Sequence, residues 1–92
     1  MDWVNIKDFK DLRLEKSSIP KGIIKITINR PEVRNAFRPQ TVFELQEAFD
    51  IVKDDLDCGV VILTGEGSKA FCSGGDQKVR GDAGYVGQDG VP

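Results

Sequence analysis

Ile23-Ile24-Lys25-Ile26-Thr27-Ile28-Asn29 puts Ile24, Ile26 and Ile28 on one side of an extended chain and Lys25, Thr27 and Asn29 on the other. That period of two is expected of a strand with one buried face. On its N-terminal side, Ser17-Ser18-Ile19-Pro20-Lys21-Gly22 is dense in residues that favour turns. Residues 11–16 before it read as another strand, with Leu12 and Leu14 sharing a face. The two strands are expected to pair as an antiparallel hairpin. On the C-terminal side Pro31 stops the strand, and residues 30–38 read as irregular. Pro39 suits the first turn of a helix, where a missing N–H costs nothing. Thr41 and Glu44 have capping-box spacing, so the helix starts either at Pro39 or two residues later. Val42, Leu45, Phe49 and Val52 form the expected apolar stripe of a helix running from Pro39 to Asp54. Val60-Val61-Ile62-Leu63 then reads as a strand buried on both faces, as in a parallel sheet under helices. Strand, helix and strand in this order predict a right-handed βαβ unit and an α/β fold.

Beyond Leu63 the composition changes. Eight of the ten glycines, Gly65, Gly67, Gly74, Gly75, Gly81, Gly84, Gly87 and Gly90, fall in residues 64–92. No single regular element accommodates that density. The stretch reads as loop beyond the C-terminal end of a parallel strand, a position where ligands bind. The whole chain has 92 residues, enough for one small domain that buries roughly 60–65% of its unfolded surface. A hydrophobic share of 39% and a charged share of 30% are those of a globular protein. A net charge of -2 gives no reason to expect nucleic acid or an anionic membrane as partner. No apolar run reaches the length of a membrane span, and the N-terminal residues contain no signal-peptide core. Cys58 and Cys72 have no CxxC spacing and no histidine to join them, so no metal site is expected. A cytoplasmic protein with reduced thiols is the expectation. Without histidine, no Ser-His or Cys-His pair exists within these residues.

Three groups of residues bear on chemistry. In Ala70-Phe71-Cys72-Ser73-Gly74-Gly75-Asp76-Gln77, two adjacent glycines let backbone approach a ligand closely. With a helix starting near Asp76, amides around Gly75 would face a developing oxyanion; the plainer alternative is a structural turn. Residues 25–38 carry Lys25, Arg30, Arg34 and Arg38 against Glu32 alone, whereas residues 39–57 carry Lys53 against six carboxylates. The basic segment either holds phosphate groups or pairs with its own acidic helix. Lys78, Arg80 and Tyr85 lie in a glycine-rich stretch that either closes on a ligand or is ordinary polar loop. Gly65-Glu66-Gly67-Ser68-Lys69-Ala70 matches G-x-G-x-x-A after a strand, but Gly74-Gly75 closely follows and no acidic residue ends a second strand ~20 residues on, as a dinucleotide site requires.

The run Ile26-Thr27-Ile28-Asn29-Arg30-Pro31-Glu32-Val33-Arg34-Asn35-Ala36-Phe37 resembles the start of crotonase-superfamily domains. Residues 59–65 and Lys69-Ala70-Phe71-Cys72-Ser73-Gly74-Gly75-Asp76 resemble that superfamily's first oxyanion-hole segment. Ser73-Gly74-Gly75-Asp76-Gln77-Lys78-Val79-Arg80-Gly81, with Val33-Arg34-Asn35-Ala36-Phe37-Arg38-Pro39 and Gly84-Tyr85, is similar to its 1,4-dihydroxy-2-naphthoyl-CoA synthase branch.

The resemblance implies the N-terminal portion of a spiral of ββα turns: a β-hairpin, a helix, a buried parallel strand and a Gly-rich loop. Residues 1–92 would then be part of a crotonase-like domain, with 64–92 its active-site loop region. The implied reaction is cyclisation of o-succinylbenzoyl-CoA by intramolecular Claisen condensation, in menaquinone or phylloquinone synthesis. By resemblance, Gly75 donates to the oxyanion, and Lys78, Arg80 and Tyr85 act on the acyl part. Arg34, Ala36, Ser73, Gly74, Gly75, Asp76, Gln77 and Tyr85 contact the CoA thioester. CoA thioester is the substrate, with no tightly bound cofactor. In the family the second oxyanion donor comes from a later segment, as does bicarbonate or the acidic group replacing it. The 92 residues alone are therefore expected to be inactive, and the full-length protein a homotrimer or hexamer. The alternatives are another acyl-CoA hydratase or isomerase of the superfamily, and a non-catalytic CoA-binding or interaction module.

Overall fold

The structure is a computed structural model in which residues 2–75 are described. Four strands form one sheet in the order β1-β2-β3-β4: β1 is Trp3–Asp8, β2 Leu12–Ser17, β3 Ile23–Ile28 and β4 Val60–Gly65. The first two pairings are antiparallel and the third is parallel. A 3-10 turn at Pro31–Val33 follows β3, and helix α1, Pro39–Asp54, carries the chain across to β4. The expected hairpin, helix and parallel strand are all present. β1 is an addition that the sequence pattern did not show.

The period-two pattern of β3 has its expected consequence. Leu12, Leu14, Ile24, Ile26 and Ile28 are each at most 3% exposed. They meet in cross-strand pairs, Leu12 opposite Ile28 and Leu14 opposite Ile26. Helix α1 lies over β2 and β3, and Ala48, 0% exposed, completes the core with Leu45, Ile51 and Val52 at its margin. Burying each of these Leu and Ile side chains contributes roughly 2 kcal/mol.

Two burial expectations are corrected. Of the stripe Val42, Leu45, Phe49 and Val52, Val42 and Phe49 are exposed, and the buried helix residues are Thr41, Glu44 and Ala48. The cause is polar. The Glu44 carboxylate accepts the N–H groups of Lys10 and Asp11, and the Thr41 hydroxyl donates to Asp11 Oδ2 at 2.7 Å. These bonds turn the 41–44–48 face inward, and alanine at 48 permits close approach. The second correction concerns β4. Its residues Val60, Val61, Ile62 and Leu63 are 38–54% exposed, not buried on both faces. β4 is an edge strand, and α1 sits over its neighbours instead.

The opposite face of the sheet is polar. Arg13 reaches Glu15 and Glu66, and Lys25 lies 3.9 Å from Glu15 and over the Trp3 ring. Among the described residues no helix is long and apolar enough to cross a membrane. Cys58 and Cys72 are free thiols.

Candidate active site

The parallel pairing of β3 with β4, with Ile28 opposite Gly65, makes both strands end at the same edge of the molecule. Residues 29–38 and 66–75 therefore leave the sheet side by side. Because β2 is antiparallel to β3, the β1–β2 turn arrives there too, and the Asn29 N–H donates to Asp11 O at 2.8 Å.

The two outgoing segments are tied together. Ser73 N–H donates to Arg34 O at 3.1 Å, and Phe37 N–H to Gly74 O at 2.9 Å. Phe37 and Gly75 form an isolated parallel bridge. Since the carbonyl before Gly75 takes the Phe37 amide, Phe37 is the residue whose peptide groups face the bridge. The Gly75 N–H points the other way, and among the described residues it has no acceptor. Gly74 has φ +104°, a conformation open to glycine and rarely to residues with a Cβ.

Arg34 and Asn35 both lie in the left-handed region, at φ 53° and 59°. This double reversal after the 3-10 turn points Arg34 to solvent and drives Asn35 inward, where it is 0% exposed. Asn35 Oδ1 accepts the Arg30 N–H at 2.9 Å, and its Nδ2 donates to Glu66 O at 2.9 Å and Ala70 O at 2.8 Å. Arg30 Nη1 donates to Ala36 O at 2.5 Å, and Ala36 is 6% exposed. At the end of β4, Gly65 is held closely. A Cβ there would stand 2.1 Å from Phe71 O, so no larger residue fits without moving the loop.

The start of α1 is anchored by Asp11, 1% exposed. Arg38 Nε and Nη2 donate to its two carboxylate oxygens at 2.8 and 2.6 Å, a bidentate pair. Burial alone would raise the Asp11 pKa. The hydrogen bonds from Arg38 and Thr41, with the charges of Arg38 and Arg30, hold it below the ordinary carboxylate value. The helix thus begins at Pro39, with Arg38 as N-cap and the Thr41 hydroxyl accepting the Arg38 N–H.

A cleft of about 250 Å³ opens between the two segments, lined by Pro31, Arg34 and Asn35 on one side and residues 66–70 on the other. Arg34 and Lys69 give it positive charge. Glu66 offsets part of this, held ionised below its usual range by its hydrogen bond from Arg13. A cleft of about 330 Å³ at the opposite end of the sheet, against Lys16, Lys21, Asp55 and Cys58, contains none of the sequence-predicted site residues. The turn after β4 does not open a helix, which sets aside the dinucleotide reading of residues 65–70.

Residues 18–91 match the sequence model of the Enoyl-CoA hydratase/isomerase family. The chain belongs to that family. Solved structures agree. EchA1_1 from Mycobacterium paratuberculosis is 31% identical with a TM-score of 0.75, over 89% of this chain and 31% of that one. The carnitinyl-CoA hydratase from Mycobacterium avium is 30% identical with a TM-score of 0.69, over 75% and 25%. A protein from Mycobacterium abscessus assigned to the enoyl-CoA hydratases/isomerases is 35% identical with a TM-score of 0.64, over 72% and 25%. The chain therefore spans less than a third of the length of these relatives, and its elements are those of the N-terminal portion of the crotonase fold.

Of the sequence-predicted site residues, the structure brings Arg34, Ala36, Ser73, Gly74 and Gly75 into one neighbourhood. Asp76, Gln77, Lys78, Arg80 and Tyr85 lie outside the described residues. Asn35 and Asp11, which organise the neighbourhood, were not among the expected site residues. A buried polar side chain that bonds across more than 25 residues leaves no periodic signal. The one local cue was asparagine, the residue type most tolerant of the left-handed region after glycine.

Proposed function

We propose that this chain supplies the first half of an oxyanion hole in an enzyme acting on acyl-CoA thioesters, with the Gly75 N–H as donor. The observation that carries it is the Phe37–Gly75 bridge, which turns that N–H off the fold. An amide held rigidly by neighbouring bonds needs no reorganisation when charge develops on the thioester oxygen. Arg34 and Lys69, on the rim of the cleft, are placed to meet the anionic groups of CoA. In the family a base from a later segment takes the proton from the carbon next to the thioester, and the oxygen of the resulting enolate would accept from Gly75.

Within the family, the sequence runs 33–39, 73–81 and 84–85 favour cyclisation of o-succinylbenzoyl-CoA. The enolate carbon attacks the carboxyl group on the benzene ring, and water leaves as the second ring aromatises. In this reading Lys78, Arg80 and Tyr85 close on the aromatic acyl part, Asp76 and Gln77 contact the thioester region, and the protein assembles as a trimer or hexamer. The second reading, hydration or isomerisation of an enoyl-CoA, is favoured by the likeness to a carnitinyl-CoA hydratase.

Incubating the full-length protein with o-succinylbenzoyl-CoA, and separately with crotonyl-CoA, decides between them. Formation of 1,4-dihydroxy-2-naphthoyl-CoA supports the cyclase; water addition to crotonyl-CoA alone supports the hydratase. In either case Gly75→Pro deletes the donor and is expected to lower kcat by about 100- to 1000-fold. A folded Gly75→Pro protein with an unchanged rate would refute the oxyanion role.

A further inference from the structure

We propose that Asn35 is a positioning residue: its side-chain amide sets the Gly75 N–H by locking the loop after β4 onto the segment after β3. This rests on the oxyanion reading of Gly75, which it deepens.

The amide joins three backbone groups from two parts of the chain, the Arg30 N–H on one side and the Glu66 and Ala70 carbonyls on the other. Residues 66 and 70 bracket the turn that returns the chain toward the site. Fixing both leaves residues 71–75 a short tether, which reaches Arg34 and Phe37 through the Ser73 N–H and the Gly74 carbonyl. The bridge that turns Gly75 is thus the far end of a series beginning at Asn35. The carbonyl oxygen and both N–H groups of the amide are in use, at 0% exposure. Its Nδ2 also approaches the Gly65 Cα so closely that an added Cβ there would be 2.6 Å from it. The site is therefore packed as well as bonded. None of this places Asn35 against the thioester, so its effect passes through the loop.

Amide hydrogen exchange on the whole chain tests this. Asn35→Gly keeps the left-handed backbone and removes the amide. The Phe37 and Ser73 N–H groups are expected to exchange at least about tenfold faster, while Leu14 and Ile26 in the core keep their protection. Asn35→Asp keeps the acceptor for Arg30 and replaces both donations by an oxygen, and is expected to show the same selective loss. Unchanged exchange at Phe37 and Ser73 overturns the assignment. So does equal loss throughout both variants, or failure of both to fold, since Asn35 is then a residue of the fold at large.

A second readout separates this proposal from the reading of Gly75. The infrared carbonyl stretch of bound acetyl-CoA is expected to fall on binding to the native protein and to return toward the free value in Asn35→Gly with binding retained. A frequency that never falls in the native protein sinks the oxyanion role, while hydrogen exchange still decides whether Asn35 holds the loop. A shift that persists in Asn35→Gly overturns the positioning role.

Discussion

Thr27 is 2% exposed on the sheet face away from α1, and among the described residues its hydroxyl has no hydrogen-bond partner. It lies opposite Arg13 on β2 and Thr64 on β4, beneath the Arg13–Glu66 ion pair. A buried hydroxyl left unpaired forfeits its bonds to water, at a cost of about 1–3 kcal/mol. Valine keeps the branched shape that a strand favours and removes the polar atom. Thr27→Val is therefore expected to stabilise the fold by about 1 kcal/mol, read as a rise of several degrees in Tm. A fall in Tm would mean that the hydroxyl does find a partner in solution. At this scale the sequence was informative where chemistry is local. Gly74, Gly75, Ser73, Arg34 and Ala36 stand out in short runs, and the structure draws them together. Asn35 reaches Glu66 and Ala70, 31 and 35 residues on, and Asp11 reaches Arg38 and Thr41, 27 and 30 residues on, which no window of neighbouring residues shows.

The elements were legible in proportion to how regularly their residues alternate. β3 and β2 follow a clean period of two, and α1 has bounds set by Pro39 and by the acidic run at its end. β1 escaped because its register shifts between Asn5 and Lys7, so a bulge breaks the alternation that would have revealed it. The rotation of α1 was hidden for a different reason. An apolar stripe predicts the buried face only when apolar contacts decide it, and here Glu44 and Thr41 bond inward. β4 illustrates the same limit, since a run of four apolar residues fits a covered strand and an edge strand equally. Its exposure has a consequence. An apolar edge with unpaired peptide groups invites pairing with another strand, and the 92-residue chain is expected to self-associate as its concentration rises. Ile62 lies opposite Lys25, so Ile62→Glu puts a charge on the edge and an attractive cross-strand pair within the sheet. Sedimentation velocity across a concentration series should show the native chain growing in mean mass and Ile62→Glu remaining monomeric. Equal association of both would place the contact elsewhere, with Phe43 and Phe49 on α1 the next exposed apolar residues to alter.

For the molecule as a whole, the turn between β1 and β2, the start of α1 and the segment after β3 are joined at one residue, Asp11. It receives Arg38 and Thr41 from the start of α1, while its own peptide group bonds Glu44 and Asn29. Its pKa in the folded chain lies below the ordinary value of 3.8. A depressed folded value means that the ionised form is favoured in the native state. The stabilisation is then fully present above the unfolded pKa and is lost as pH falls through the folded one. Stability should accordingly be flat near neutrality and decline on acidification below about pH 4, the region that the Asp11 shift defines. Glu66 is also held below its ordinary value, by Arg13, but that pair is solvent-exposed and screened, so little of the acid limb belongs to it. Asp11→Asn separates the contributions. It keeps the shape and one acceptor but removes the charge that Arg38 grips, and is expected to cost about 2 kcal/mol at pH 7. Urea unfolding from pH 7 down to pH 3 should show the native and Asp11→Asn stabilities converging, because protonation deprives the native chain of the same charge. Parallel curves would show that the acid sensitivity arises elsewhere and that what Asp11 contributes does not depend on its charge.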